Sequence, residues 1–235
     1  MVKRVIFGDI HGHISSLKEL YLKESPDEVI ILGDYVDSFT IDSNKCRDCL
    51  EQILELKQTH EKEHGKNSFI LLLGNHELHY ILPGERYSGF KYETQYLIYD
   101  LLKKAIMDHD IQIIFVDDIN KTVYSHAGIT KQWYDKYKFS SLENINNINN
   151  ISDLDKFKFT GWNRYGNDPN NGPLWVRPSS LINNLFNENW KQIVGHTHTK
   201  EPLIYDKVLV IDTMPNNYII QELNNNREVI SQIVT

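Results

Sequence analysis

Asp9 and His11, in Gly8-Asp9-Ile10-His11-Gly12, lie two residues apart where the apolar run Val2–Phe7 ends. In an extended segment residues i and i+2 project to the same side, so a carboxylate and an imidazole are aimed together, which is half a metal site. The flanking glycines permit backbone angles and close approaches that bulkier residues resist. Four later segments repeat the grammar of an apolar run, a Gly or Ser, then Asp, Asn or His. They are Gly33-Asp34-Tyr35-Val36-Asp37, Gly74-Asn75-His76-Glu77, Ser125-His126-Ala127-Gly128 and Gly195-His196-Thr197-His198. One such segment is easily found by chance; five in one chain are not. Imidazole and carboxylate donors suit Mn²⁺, Fe and Zn²⁺, and no thiolate among them selects a softer ion.

These side chains need elements to carry them. Val2–Phe7, Glu28–Leu32 and Phe69–Leu73 read as short buried strands, separated by helices over His13–Lys23 and about Asn44–Lys57. That alternation predicts an α/β domain with a covered sheet. A short helix follows over His76–Leu82, stopped by Pro83-Gly84. A longer one covers Glu93–Met107, with Tyr96, Leu97, Leu101, Leu102, Ala105 and Ile106 at near-helical spacing. Ile111–Val116 and Lys121–Ser125 read as strands about a turn, Ser179–Phe186 as a helix. Gln192–Val194, Val208–Asp212, Tyr218–Glu222 and Val229–Val234 complete the sheet. Residues 139–178, rich in Asn, Gly and Pro, form an irregular excursion and not a boundary, so residues 1–235 are expected to be a single domain. Ligands in open α/β sheets gather at the carboxyl ends of strands, which is where all five motifs fall.

Bulk properties narrow the function. With 235 residues, 40% hydrophobic and 24% charged, the chain can bury a sizeable core. No run of about 18 apolar residues predicts a membrane span. Val5-Ile6-Phe7 is too short for a signal-peptide core, and a cytoplasmic location is expected. A net charge of −7 with no basic block disfavours broad binding to nucleic acid or anionic membranes. Cys46 and Cys49 fall on one helical stripe with Leu50, Ile53 and Leu54, as small buried hydrophobes would. His60, His64 and His109 lie outside every motif and read as surface or core residues. His13 reads as a helix-start residue; His79, three residues after His76, reads first as a surface or hydrogen-bonded core residue, with the cleft as the lesser alternative.

The five motifs, in this order, resemble the calcineurin-like metallophosphoesterases, nearest to their bacterial and phage serine/threonine protein phosphatases, from Gly8 to His198. The resemblance implies a four-layer α/β/β/α sandwich of two mixed sheets flanked by helices, with a dinuclear metal site at the strand ends. One metal would be held by Asp9, His11 and His198, the other by Asn75, His126 and His196, with Asp34 bridging. His76 would protonate the leaving group and Asp37 would orient it. The implied cofactors are two divalent ions, Mn²⁺ foremost, then Fe, Zn²⁺ or Ni²⁺. The implied activity is hydrolysis of phosphate monoesters by a metal-bridging hydroxide, on a phosphoprotein or a small phosphoester. The alternatives are a phosphodiesterase or a hydrolase of diadenosine tetraphosphate-type anhydrides, and, in a different class, a non-catalytic metal-binding interaction module.

The pattern departs from the protein phosphatases at two places. They carry Arg directly after the second motif's last Asp and just before Gly-Asn-His-Glu; here those positions are Ser38 and Leu73. Trp175-Val176-Arg177 resembles the Trp-x-Arg element of bacterial and phage phosphatases, so Arg177, with Asn75 and His76, is expected to bind substrate phosphate. Arg86 and Arg164 are weaker replacements, since an arginine can grip phosphate bidentately but nothing fixes where these two point.

Overall fold

Three apolar runs become strands β1 (Val2–Phe7), β2 (Glu28–Ile31) and β3 (Phe69–Leu72), paired in parallel in that order. The computed structural model describes residues 1–84, 86–160, 162–163, 165–212, 218–224 and 229–234; Arg164 therefore lies outside the described residues. From Val5, Val29 and Phe69 onward the runs are continuously apolar, without polar alternation, because both faces of the sheet are covered. Val5, Phe7, Val29, Ile31, Phe69 and Leu71 pack on one face with Leu17, Leu50, Ile53 and Leu102 from the flanking helices. Ile6, Ile30, Leu32, Ile70 and Leu72 pack on the other face, against Tyr124 and Ile193 of a second sheet. Side chains of this kind contribute roughly 1.5–3 kcal/mol each when fully buried, and the burial on both sides fixes the strands' register.

The first sheet has the order β11-β10-β1-β2-β3-β4, with β4 at Ile111–Gln112, β10 at Tyr218–Leu223 and β11 at Val229–Val234. The second has the order β5-β6-β7-β9-β8, comprising β5 (Ile114–Asp117), β6 (Thr122–Ser125), β7 (Lys191–Val194), β8 (Leu203–Ile204) and β9 (Val208–Val210). Both mix parallel and antiparallel pairs. Helices α1 (Ile14–Glu24), α2 (Ser43–His64) and α4 (Gln95–Met107) line the first sheet, and α6 (Pro178–Ile182) brings Leu181 against Val194, Val208 and Val210 of the second. The expected four-layer architecture of two mixed sheets flanked by helices is present. None of the helices among the described residues is long and apolar enough to cross a membrane.

The structure departs from the sequence reading at several elements. The run Ile111–Val116 is not one strand: β4 and β5 belong to different sheets, and the chain changes sheet at Ile113. Asn146, from the Asn-rich excursion, makes this possible. Its Oδ1 accepts the N–H groups of Ile113 and Ile114 at 2.9 and 3.0 Å, and its Nδ2 donates to the Ile114 carbonyl at 2.9 Å. Backbone groups at the corner are thus satisfied without a strand partner. The second helix runs past Lys57 to His64, capped at its start by Asp42, whose side chain accepts the Lys45 N–H at 3.0 Å. In α4 Leu102, Ala105 and Ile106 are buried as the spacing predicts and Ile98 joins them, while Tyr96 (77% exposed) and Leu97, expected inward in the first turn, face solvent. A further helix, α5 (Lys131–Tyr137), was not anticipated, and the helix expected over Ser179–Phe186 stops at Ile182. The excursion contains two 3₁₀ segments, Glu143–Asn146 and Ile151–Phe157, and sends Leu154, Phe157, Leu174 and Trp175 into the main core.

Candidate metal centre and active site

Parallel strands β1, β2 and β3 of one sheet and β6, β7 and β9 of the other end on the same rim, where the motifs converge. Asp9 follows β1, Asp34 follows β2, and Asn75 and His76 open the short helix α3 (Asn75–Ile81) after β3; His126 follows β6 and His196 follows β7. His11, Asp34, Asp37 and His196 all adopt positive φ, between 44° and 65°. Asp and His tolerate that region better than most residues, and it turns each side chain back over the strand ends. Close packing forces glycine at two of the junctions: a Cβ on Gly74 would land on Asp34 Oδ1, and one on Gly195 on Asp9 Oδ1.

The protonation of three imidazoles follows from their outer partners. His126 Nδ1 donates to the Leu32 carbonyl at 2.9 Å, His196 Nε2 to the Trp175 carbonyl at 3.2 Å, and His11 Nδ1 to the Asp37 carbonyl at 3.0 Å. A carbonyl only accepts, so each proton sits on the outer nitrogen and each inner nitrogen presents a lone pair. His126 Nε2 and His196 Nδ1 lie 3.2 Å apart, and each is 2.8 Å from Asn75 Oδ1. Asp34 Oδ2 is 3.4 Å from His126 Nε2 and 3.7 Å from His11 Nε2, which is 4.0 Å from Asp9 Oδ2. Lone pairs facing one another without an intervening proton repel; a cation among them turns the same arrangement into a coordination shell. The donor set therefore fits two hard-to-borderline divalent ions.

Electrostatics agree. Burial, with Asp212 and Asp34 nearby, pushes the Asp9 carboxyl well above its usual range. Burial alone would also raise Asp34, but the surrounding His126, His76 and His11 hold it well below. Burial lowers His126, and it lowers His196 further with His126 and Arg177 beside it. Both rings are thus kept neutral, as metal binding requires.

Asp9, His11, Asp37, His76, His198 and Asp212 line one cavity of about 450 Å³. Asp37 Oδ2 accepts from His76 Nδ1 at 2.8 Å, leaving the other nitrogen of His76 for the cavity. Burial would lower His76, yet Asp34 and Asp37 outweigh it and raise its pKa to about 9. His198 lies on the cavity wall but is exposed, outside the tight donor groups formed by His11, Asp34, His76 and by Asp9, Asp34, His126. Arg177 is within electrostatic range of Asp9 and Asp34; its Nε donates to the Tyr165 carbonyl at 3.0 Å, and its Nη1 to the His196 carbonyl at 2.9 Å and Thr197 Oγ1 at 3.1 Å. Arg86 is engaged with backbone carbonyls. Its guanidinium is turned to the His79 and Leu82 carbonyls at the end of α3 and stacks 4.7 Å from the Phe90 ring. His13 precedes α1 and also lines the cavity, beside Ser38. Of the other histidines, His60 is buried between Tyr21 and the Asp27 carbonyl, and His64 and His109 are exposed. Cys46 and Cys49 are buried free thiols.

Three contributors escaped the sequence reading. Asp212 stands one residue beyond Ile211 after β9, a sixth strand end on the same rim, and burial pushes its pKa up to about 6. The apolar run Val208–Ile211 ending in an acid carries the motif grammar without its glycine, and that signal was available. Glu77 was quoted within its motif without a role. Its fully buried carboxylate accepts N–H groups from Asp34 (2.9 Å), Tyr35 (2.8 Å), Val36 (3.2 Å) and Gly74 (2.9 Å), so it shapes the loop that presents Asp34. Lys91 Nζ donates to the Ser38 and Ile41 carbonyls at 2.6 and 2.7 Å, fastening the loop on which the protein phosphatases carry arginine.

Known proteins show the same arrangement of elements. A protein serine/threonine phosphatase from Saccharomyces cerevisiae superposes with a TM-score of 0.60 at 18% identity, over 99% of this chain and 79% of that one. A metallophosphoesterase from Sphaerobacter thermophilus does so at 0.52 and 14% identity, over 100% and 88%. In sequence, a symmetrical bis(5'-nucleosyl)-tetraphosphatase from Erwinia tasmaniensis is 30% identical over 139 residues, 54% of this chain and 45% of the relative. The calcineurin-like phosphoesterase profile matches residues 2–205. The chain belongs to the calcineurin-like phosphoesterases, metal-dependent hydrolases of phosphate esters.

Proposed function

We propose that the chain hydrolyses phosphate monoesters, in the manner of a protein serine/threonine phosphatase, with one cation held by Asp9, His11 and His198, the other by Asn75, His126 and His196, and Asp34 shared between them. The observation that carries this reading is the Asp37–His76 pair opening onto the same cavity as those donors. Two bound divalent cations, Mn²⁺ being the first to supply, would lower the pKa of water to about 7 and offset the charge of the phosphate. With Nδ1 committed to Asp37, His76 holds its second proton on Nε2. As water adds to phosphorus and the bond to the ester oxygen breaks, that proton passes to the leaving oxygen, and the alcohol departs neutral. Asp37 keeps the imidazolium charged and aimed. Arg177 keeps Nη2 for a phosphate oxygen while its other two nitrogens fix its direction.

The test is phosphate release from a phosphoserine peptide and from nitrophenyl phosphate with Mn²⁺. Turnover of both is expected; none with Mn²⁺, Fe²⁺, Zn²⁺ or Ni²⁺ ends the proposal. A second reading, hydrolysis of a dinucleoside polyphosphate, draws on the likeness to the Erwinia enzyme and on Ser38 and Leu73 standing where protein phosphatases carry arginine. Comparing kcat/KM across phosphopeptides and dinucleotides separates the two, and a preference for a dinucleotide by orders of magnitude selects the second.

A further inference from the structure

The Asp37 carboxylate is held by more than His76. Its Oδ2 also lies 2.6 Å from Nε2 of His79, whose side chain is wholly buried, and its Oδ1 accepts the Tyr80 hydroxyl. His79 Nδ1 accepts the backbone N–H of Tyr87 at 3.0 Å, so its proton must sit on Nε2, the nitrogen facing Asp37. The contact is bent: the Nε2–H direction lies off the line to Oδ2. The ring cannot turn to straighten it. It stacks on Tyr87 (centroids 5.3 Å apart, planes at 10°) and meets Phe90 and Tyr80 edge-on at 4.8 Å each. Tyr80 in turn takes the Lys91 N–H at 2.8 Å on its hydroxyl. Two backbone N–H groups of the 87–91 segment are thus relayed, through one side chain each, onto the two oxygens of Asp37.

We propose that His79 is a positioning residue for the hydrolysis: it fixes the Asp37 carboxylate in the rotation that keeps the His76 N–H aimed at the leaving oxygen. An apolar residue would fill the slot between Tyr87 and Phe90 equally well, whereas a buried imidazole is costly unless both nitrogens are used. Here Nδ1 takes the Tyr87 N–H, and Nε2 is held in a close but bent contact against the carboxylate that partners His76. His76 and His79 stand three residues apart on α3, so one face of a single turn presents both to Asp37. This inference rests on the reading of His76 as the proton donor.

The experiment compares His79→Asn, His79→Gln and His76→Asn on phosphate monoesters whose leaving groups range from dinitrophenol to a simple alcohol, with metal content per chain measured for each. A good leaving group departs without a proton; an alkoxide does not. His79→Asn, whose amide falls short of Asp37, should lower kcat on the alkyl ester by about 10²-fold, the scale of a small misplacement of a catalytic group. It should lower kcat on the dinitrophenyl ester by less than about 3-fold, with KM and metal content unchanged. His79→Gln, whose amide nitrogen reaches the position of Nε2, should recover most of the loss, and His79→Asn should add nothing in the His76→Asn background. Equal losses on both esters, no recovery with Gln, or additive losses would overturn the role. If His76→Asn itself shows no dependence on the leaving group, the proton-donor reading and this inference fall together; if it does and His79→Asn does not, this inference alone falls. Should the Asn variant not fold, the parent decides: ¹⁵N spectra must show His79 protonated on Nε2 only, and an Nδ1–H tautomer overturns the role.

Discussion

At the scale of single residues, electrostatics separates the imidazoles proposed to hold cations from the one proposed to move a proton. His126 and His196 are pressed towards neutrality by burial, whereas His76, with Asp37 on one nitrogen and Asp34 nearby, is held charged. Changing His76 to Asn should therefore leave metal content intact and lower kcat by roughly 10²–10⁴-fold, the usual contribution of general acid catalysis. Asp34→Asn should instead lower the number of metal ions per chain at a fixed metal concentration, read by elemental analysis. The pH profile follows in sign. In the proposed role the protonated form of His76 is the active one, so kcat/KM should fall as pH rises through its pKa, about 9 in the absence of cations. Bound cations offset Asp34 and bring that limb lower. Asp37→Asn removes the remaining support and should move the limb lower again, visible as an alkaline loss beginning closer to pH 7. Asp9 and Asp34 were legible in the sequence because each follows a glycine after an apolar run. Asp212 was not singled out, since its strand end has no glycine to mark it.

At the scale of elements, the donors owe their aim to the junctions that follow the strands. The loop after β2 turns on Asp34 and Asp37 at positive φ, and Glu77 at the start of α3 gathers three of its N–H groups together with that of Gly74. Burial and the Asp34 charge push Glu77 up to about 8, against those four donors. Glu77→Leu leaves four buried N–H groups unsatisfied, each costing about 1–3 kcal/mol. It should lower the melting temperature and weaken metal binding together, whereas a surface change such as Lys62→Ala should alter neither. Gly74→Ala should act alike, because its methyl would occupy the place of Asp34 Oδ1. The existence of these elements was readable from apolar periodicity. The sheet change at Ile113 was not, because the group that permits it, Asn146, arrives from more than thirty residues downstream.

At the scale of the whole molecule, buried carboxylates and neutral imidazoles from both sheets meet at one rim. Asp9 and Asp212 are both pushed up by burial and by acidic neighbours. For an acid whose folded pKa is raised, stability falls as pH rises from the unfolded value, about 3.9, through the folded one. The metal-free protein should accordingly lose stability between about pH 4 and pH 6 through Asp212. A divalent ion relieves that penalty. At a hundredfold excess over Kd it adds about 2.7 kcal/mol by mass action, so the melting temperature should rise with Mn²⁺ and fall with chelator. No change in either direction would contradict the arrangement.

The chain by itself determined the donor types, their order and the strands they follow, because local chemistry dictates those: apolar runs that must be buried, and short polar residues that accept left-handed backbone. Only the tertiary structure decided which donors face each other, which nitrogen of each imidazole carries the proton, and that Arg86 caps a helix while Arg177 borders the carboxylates. Those facts depend on carbonyls such as Leu32, Trp175 and Asp37, whose positions along the sequence bear no regular relation to the rings they fix. They depend equally on two sheets whose strand ends become neighbours only once the core between them has closed.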